Sequence, residues 1–362
     1  MTYLFYYLFL NIIVMNNFKP LCAISPNELL CLKRNKLYRY NSKMEESLYI
    51  CDIPNSKLRN LFLFFDILTR RFGLNNAKAA KIDNHTCLLW YHYRFYTIDL
   101  LNHKISLTIG SNNKSLLHLN TSSLGPIWGE YGYNPYKDSK SIYRYNLENN
   151  AIECIYTFKK GEINHIHNIV EDSINNRFYI LTGDFGNAAG IYYTDDSFKT
   201  VKRLVSGSQK YRSCFAVPFN NGLIYATDSP TQPNSLYFLK DGVLKQIAEI
   251  NGSCIYACQY GDHFIGSTTV ENQPDEYNNA KNKYRYNLGH GIKNWNVELF
   301  DYNLRTGDYK VLLRARKDIL PMLAFGYGLF VLPVLDETYK GNLFAFGQSI
   351  KKYDQKLIKV EV

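Results

Sequence analysis

Apolar residues in this chain fall in short runs of roughly four to eight, bounded by Gly, Asn, Asp, Pro and Ser, a spacing that predicts strands almost throughout. The first of these runs, residues 29–33, 36–40 and 47–53, read as an antiparallel meander. Residues 56–72 break the pattern. There Leu58, Leu61, Phe62, Phe65, Leu68 and Phe72 recur at helical spacing, Asn55 or Ser56 can cap the start, and Gly73 can end it. This predicts one helical insertion packed against the sheet body, with Arg59, Arg70 and Arg71 on its polar side.

After Lys78 the strands return, and an arrangement of strand, acid, polar loop and strand repeats five times. The acids are Glu130, Asp184, Asp228, Glu271 and Asp336, at a period of about 45 residues. A period of that length with four short strands per unit predicts an all-β chain folded as a β-propeller. Units opening near residues 27, 78, 115, 163, 210, 252 and 319 give seven blades. Six is the alternative count, because the first two units are weak. Two stacked sheets would not explain equivalent acids in successive units. The propeller is expected to span residues 26–362 as a single domain. Residues 1–25, with the apolar run YLFYYLFLNIIV, are expected to be a leader or membrane-proximal segment, a buried strand, or the product of a misassigned start codon.

In an antiparallel four-stranded blade, the opening of the innermost strand and the turn between the second and third strands lie at the same end. The five acids are therefore expected to share a face with His165 and His167, with Lys210, Tyr211 and Arg212, and with Lys78 and Tyr256. Such a mouth suits a hydroxyl-rich ligand: carboxylates accept from hydroxyls, Arg and Lys hold acidic groups, and Tyr offers a stacking face. The competing reading is that each acid caps its own turn. Catalytic candidates are His165, Asp184 and Glu130. Substrate-binding candidates are Tyr131, Lys78, Tyr211, Arg212, Asp228, Tyr256, Glu271 and Asp336.

His165 and His167 point the same way on a strand, about 6–7 Å apart, a spacing that can chelate one divalent metal ion. Asp184 and His118 are the candidates for a third ligand. His165, nearer the mouth, is expected to be the ligand or general base, and His167 a buried, hydrogen-bonded residue. No other cofactor is implied.

Composition narrows the class. The 31 Tyr and 21 Phe among 362 residues favour strands. The net charge of +10 is scattered rather than gathered in an arm, which argues against a nucleic-acid partner. Eight cysteines include no CxxC pair and sit mostly in apolar runs, so buried free thiols in a cytoplasmic monomer are expected. A functional leader at residues 1–25 would instead imply a secreted or periplasmic protein. No segment is long enough to span a membrane as a helix.

Thr194-Asp195-Asp196-Ser197-Phe198-Lys199-Thr200-Val201 resembles the Asp-box (BNR) turn, S-x-D-x-G-x-T-W, of sialidase-like propellers, with Phe198 at the Gly position and Val201 at the Trp position. The motifs Gly129-Glu130-Tyr131, His165-x-His167, Thr182-Gly183-Asp184, Tyr211-Arg212 and Thr227-Asp228 are similar to those of a bacterial branch of Asp-box-like propellers. Sialidases hold the substrate carboxylate with three arginines, and here only Arg212, with Lys78 as a partial stand-in, occupies such a position. The polar mouth predicts a propeller that recognises an oligosaccharide or polysaccharide, with glycoside hydrolase-like chemistry on an acidic oligosaccharide as one expectation. A non-catalytic carbohydrate-binding or protein-interaction scaffold is the alternative. A propeller polysaccharide lyase with a His-bound metal is a further one.

Overall fold

The computed structural model describes residues 14–15, 18–108, 115–273 and 287–362. Seven antiparallel sheets follow one another around a ring, six with four strands and one with three. The innermost strands of the first two blades are Lys19–Ser25 and Ala77–Lys81. Those of the fourth, fifth and sixth are His165–Asp172, Ser213–Phe219 and Cys254–Tyr260. The third blade has three strands, and an isolated bridge between Asn120 and Ile127 stands where its innermost strand would lie.

The seventh blade closes the ring. Its strands run Leu329–Val331, Leu343–Gln348 and Leu357–Val360, and its outermost strand is Val14–Met15, from the other end of the chain. The propeller therefore begins before residue 26: Val14–Met15 pairs with Ile358 and Leu357, and Lys19–Ser25 is the wall of the central channel in the first blade. The leader expectation for residues 1–13 lies outside the described residues.

Each interface between neighbouring blades carries its own apolar cluster. Ile127 and Ile142 of the third blade pack with Ile166, Ile169 and Ile180 of the fourth, and Phe344 of the seventh meets Tyr40 of the first. Alternation along each strand supplies one apolar face to each neighbour, so blades buried on both sides have few polar positions in mid-strand. All seven buried cysteines are free thiols within this packing, and Cys154 is exposed. Among the described residues no helix is long and apolar enough to cross a membrane.

The insertion forms two short helices, Lys57–Phe62 and Asp66–Arg71. Ser56 caps the first, and Phe65 takes an extended backbone that interrupts the helical path before Asp66. The orientation departs from the expected one at Arg70 and at four of the apolar positions, while Arg71 is exposed as expected. Leu58, Leu61, Phe65 and Phe72 are exposed, while the Arg70 side chain is only 4% exposed and bonds Asp318 at 2.5 Å and Asp354 at 2.9 Å. The insertion is anchored to the seventh blade's loops through a charged contact; Leu63 is buried, Phe62 and Leu68 are half-buried, and the other apolar positions are left outside.

The Asp-box-like turn lies between the third and fourth strands of the fourth blade, on the face away from the helical insertion. Asp196 accepts from the Thr200 amide at 2.9 Å and the Thr200 hydroxyl at 2.6 Å, and Phe198, at the glycine position, has φ +71°. Its ring is buried against Phe178. Replacing Phe198 with Gly removes a buried ring, costing about 3–5 kcal/mol, and relieves about 1–2 kcal/mol of left-handed strain. A net loss of roughly 1–4 kcal/mol is expected in urea denaturation.

Candidate functional site

Strand direction decides which candidates meet. Glu130, Asp184, Asp228 and Glu271 each follow the second strand of a blade, from the third to the sixth, and share the face on which inner strands open. Asp336 does not. It follows Leu329–Val331, the innermost strand of the seventh blade, and so lies at the opposite end of the ring, 3.8 Å from Lys81 at the far end of an inner strand. Its carboxylate also accepts from the Thr338 amide at 3.0 Å, a turn-capping role.

A cavity of about 670 Å³ opens on the shared face, above the third to sixth blades. Tyr131, His165, Asp184, Arg212, Asp228 and Glu271 line it, together with Cys214, Phe185 and Tyr327, which the sequence pattern did not single out. Glu130 is turned into its own blade instead, where it accepts from the Ser141 amide at 3.0 Å and the Tyr143 hydroxyl at 3.4 Å. Tyr211 sits in a short 3-10 turn and is absent from the lining. Lys78 and Tyr256 lie in the central channel, bonded to each other at 2.9 Å, with the His118 ring packed edge-on against Tyr256.

The cavity floor is built by the fourth blade. His165 and His167 lie on its innermost strand, where a register shift between Ile166 and Asn168 interrupts regular pairing. Their rings converge so that the two Nε2 atoms are 2.9 Å apart. Gly183 on the next strand makes this approach feasible, since a Cβ there would lie 2.3 Å from His167 Nε2 and 3.0 Å from His165 Nε2. Each Nδ1 faces a backbone carbonyl, Gly132 at 3.0 Å for His165 and Ser213 at 2.9 Å for His167. A carbonyl only accepts, so both Nδ1 atoms carry the proton and donate.

Two Nε2 atoms therefore meet with Asp184 Oδ1 3.3 Å from that of His165. Facing lone pairs beside a carboxylate require a positive charge among them: a proton, which makes His165 an imidazolium, or a metal ion. The donor set fits a metal. Donor atoms about 2.1 Å from one ion at tetrahedral or octahedral angles lie about 3.0–3.4 Å apart. The carbonyls behind both rings fix tautomer and orientation, as outer-shell partners of ligating histidines do. His118 is no part of this group, because its Nε2 bonds the Ile255 carbonyl at 3.0 Å.

Arg212 ties the acids together. Its Nη2 is 3.2 Å from Asp184 Oδ1, its Nε is 3.2 Å from Asp228 Oδ2, and its Nη1 donates to the Asp184 carbonyl at 3.3 Å. Its two carboxylate partners respond in opposite directions. Burial raises Asp184, but the His165 hydrogen bond and charge and the Arg212 charge outweigh it and hold the carboxyl well below the usual range. Asp228 is buried more deeply, and desolvation wins over Arg212 and pushes it up. His167 is driven well below the usual imidazole range by burial and by the neighbouring positive groups, which keeps it neutral.

Glu271 is pushed up to about 7, first by burial and then by the Asp228 charge. An unfolded Glu titrates near about 4.3, so between that pH and 7 the folded chain keeps a proton that the unfolded chain has lost. Stability from this group therefore falls as pH rises through that window. Glu271→Gln is expected to flatten the fall, read as denaturation midpoints between pH 4.5 and 7.

No family model matches the chain, and no curated protein sequence matches it. Solved structures do match in fold. The Cps50 (Swd1) β-propeller domain of Myceliophteria thermophila has a TM-score of 0.54 at 8% identity, over 97% of this chain and 98% of that one. The oligogalacturonate lyase of Vibrio parahaemolyticus has a TM-score of 0.51 at 9% identity, over 97% and 91%. An oligogalacturonate lyase in complex with manganese has a TM-score of 0.51 at 7% identity, over 97% and 91%. Fold and site together define a seven-bladed β-propeller with a polar, off-axis cavity on the face where its inner strands open.

Proposed function

We propose that the protein binds an acidic oligosaccharide in this cavity, anchored by a divalent cation held by His165, His167 and Asp184. The observation that carries the reading is the junction of two Nε2 lone pairs and a carboxylate oxygen, 2.9 and 3.3 Å apart, where His165 and Asp184 line an open cavity and His167 is buried behind them. When bound, the cation supplies charge for a ligand carboxylate. Asp228 and Glu271 accept from sugar hydroxyls, Tyr131 and Phe185 offer faces for the rings, and Arg212 holds Asp184 in place. An oligogalacturonate lyase in complex with manganese has the same fold, which makes oligogalacturonates and Mn²⁺ the first ligands to try. On the Phe198 turn, we also place the chain with the Asp-box-like propellers.

Cleavage is a second reading, favoured by Glu271, whose carboxyl is tuned to about 7 in the cavity wall and suits proton transfer at neutral pH. Calorimetry with oligogalacturonates and with neutral oligosaccharides, each in Mn²⁺ or in chelator, tests the binding claim. Tight binding is expected for the acidic series in Mn²⁺ alone, and Asp184→Asn should abolish it. Equal binding in chelator would contradict the proposal. If the sugar is also cleaved, Glu271→Gln should retain binding and lose product.

A further inference from the structure

The central channel holds two lysines on adjacent inner strands. Lys19 opens the innermost strand of the first blade, and Lys78 is the second residue of that of the second blade. Both line a small, partly open space of about 20 Å³, together with His118, Tyr256, Val331 and Val334. Lys19 is 5% exposed and donates to the Asn75 carbonyl at 3.0 Å. Lys78 donates to the Tyr256 hydroxyl at 2.9 Å, with its ammonium 4.2 Å from the centre of that ring. Among the described residues neither pairs with a carboxylate.

We propose that this space is a monatomic anion site, occupied by chloride between the ammonium groups of Lys19 and Lys78. Each ammonium has three donors, and the contacts above use one apiece. Two like charges in the channel, Lys19 buried and Lys78 half-buried, are costly without a counter-charge, and an anion between them offsets both the burial and their mutual repulsion. His118 supplies no negative charge: its Nε2 donates to the Ile255 carbonyl, and burial and the Lys78 charge lower the imidazole to about 3, so it stays neutral. Size favours a small ion: the space of about 20 Å³ holds one particle near the size of water. With no anion present, burial and the Lys78 charge lower Lys19 to about 8, and burial lowers Lys78 to about 7. The site is independent of the sugar-binding reading.

The test compares melting temperatures in sodium chloride and in sodium gluconate at equal ionic strength and pH 6, and locates bromide by anomalous scattering in crystals grown in sodium bromide. The wild type is expected to melt roughly 2–4 °C higher in saturating chloride, and bromide should lie between the two lysine Nζ atoms. Lys78→Met should erase the difference between the salts. Equal melting in the two salts, an undiminished chloride gain in Lys78→Met, or the absence of a bromide peak in the channel would overturn the proposal. If Lys78→Met does not fold, the bromide position decides alone.

Discussion

Arg212→Ala is expected to destabilise the protein by about 3–5 kcal/mol, the cost of leaving a buried charge without its partner. The guanidinium is 3.2 Å from a carboxylate oxygen of both Asp184 and Asp228, and Asp228 is 4% exposed. Without Arg212, Asp228 keeps only the Cys214 thiol, 3.3 Å away, among its named partners. Asp184 loses a contact to its side chain and one to its backbone carbonyl. Arg212→Lys should recover only part of the loss, because a single ammonium cannot reproduce the fork that reaches both acids. Urea denaturation with both variants measures this directly.

His167→Ala is expected to weaken divalent-cation binding by at least about 100-fold, since loss of a ligand exceeds the 10–100-fold effect of outer-shell changes. His167 is 2% exposed and fixed through Nδ1 to the Ser213 carbonyl, so its loss removes a pre-oriented donor. Fold stability should change less than in Arg212→Ala, because no buried charge is stranded. Competition against a fluorescent chelator gives the affinity ratio.

The repeat, the blade count and the shared face of Glu130, Asp184, Asp228 and Glu271 were legible because each rests on local alternation and turn chemistry. Asp336 was misplaced for a reason that lies outside any local window. The last blade takes its outermost strand from Val14–Met15, so the run before Asp336 is a first strand, although it looks like the second strands before the other acids. The same closure hid Lys19, which falls in a stretch that resembles a leader and is in fact channel wall.

Glu130 illustrates the capping alternative, since its carboxylate bonds its own blade. His167 was read as a core residue, and it is buried. Its facing of His165 depends on a strand irregularity and on Gly183, which alternation alone does not reveal. The insertion departs from expectation because Arg70 found two acids in the seventh blade, a contact between residues more than two hundred positions apart.

X-ray absorption on protein stripped of metal and reloaded with one equivalent of Zn²⁺ or Mn²⁺ tests the central claim most directly. The account predicts stoichiometric binding with two imidazole nitrogens and a carboxylate oxygen in the first coordination sphere, and loss of one imidazole in His167→Ala. A protein that takes up no stoichiometric metal would contradict it: His165 then carries a proton between His167 and Asp184, and the floor of the cavity is an ion pair.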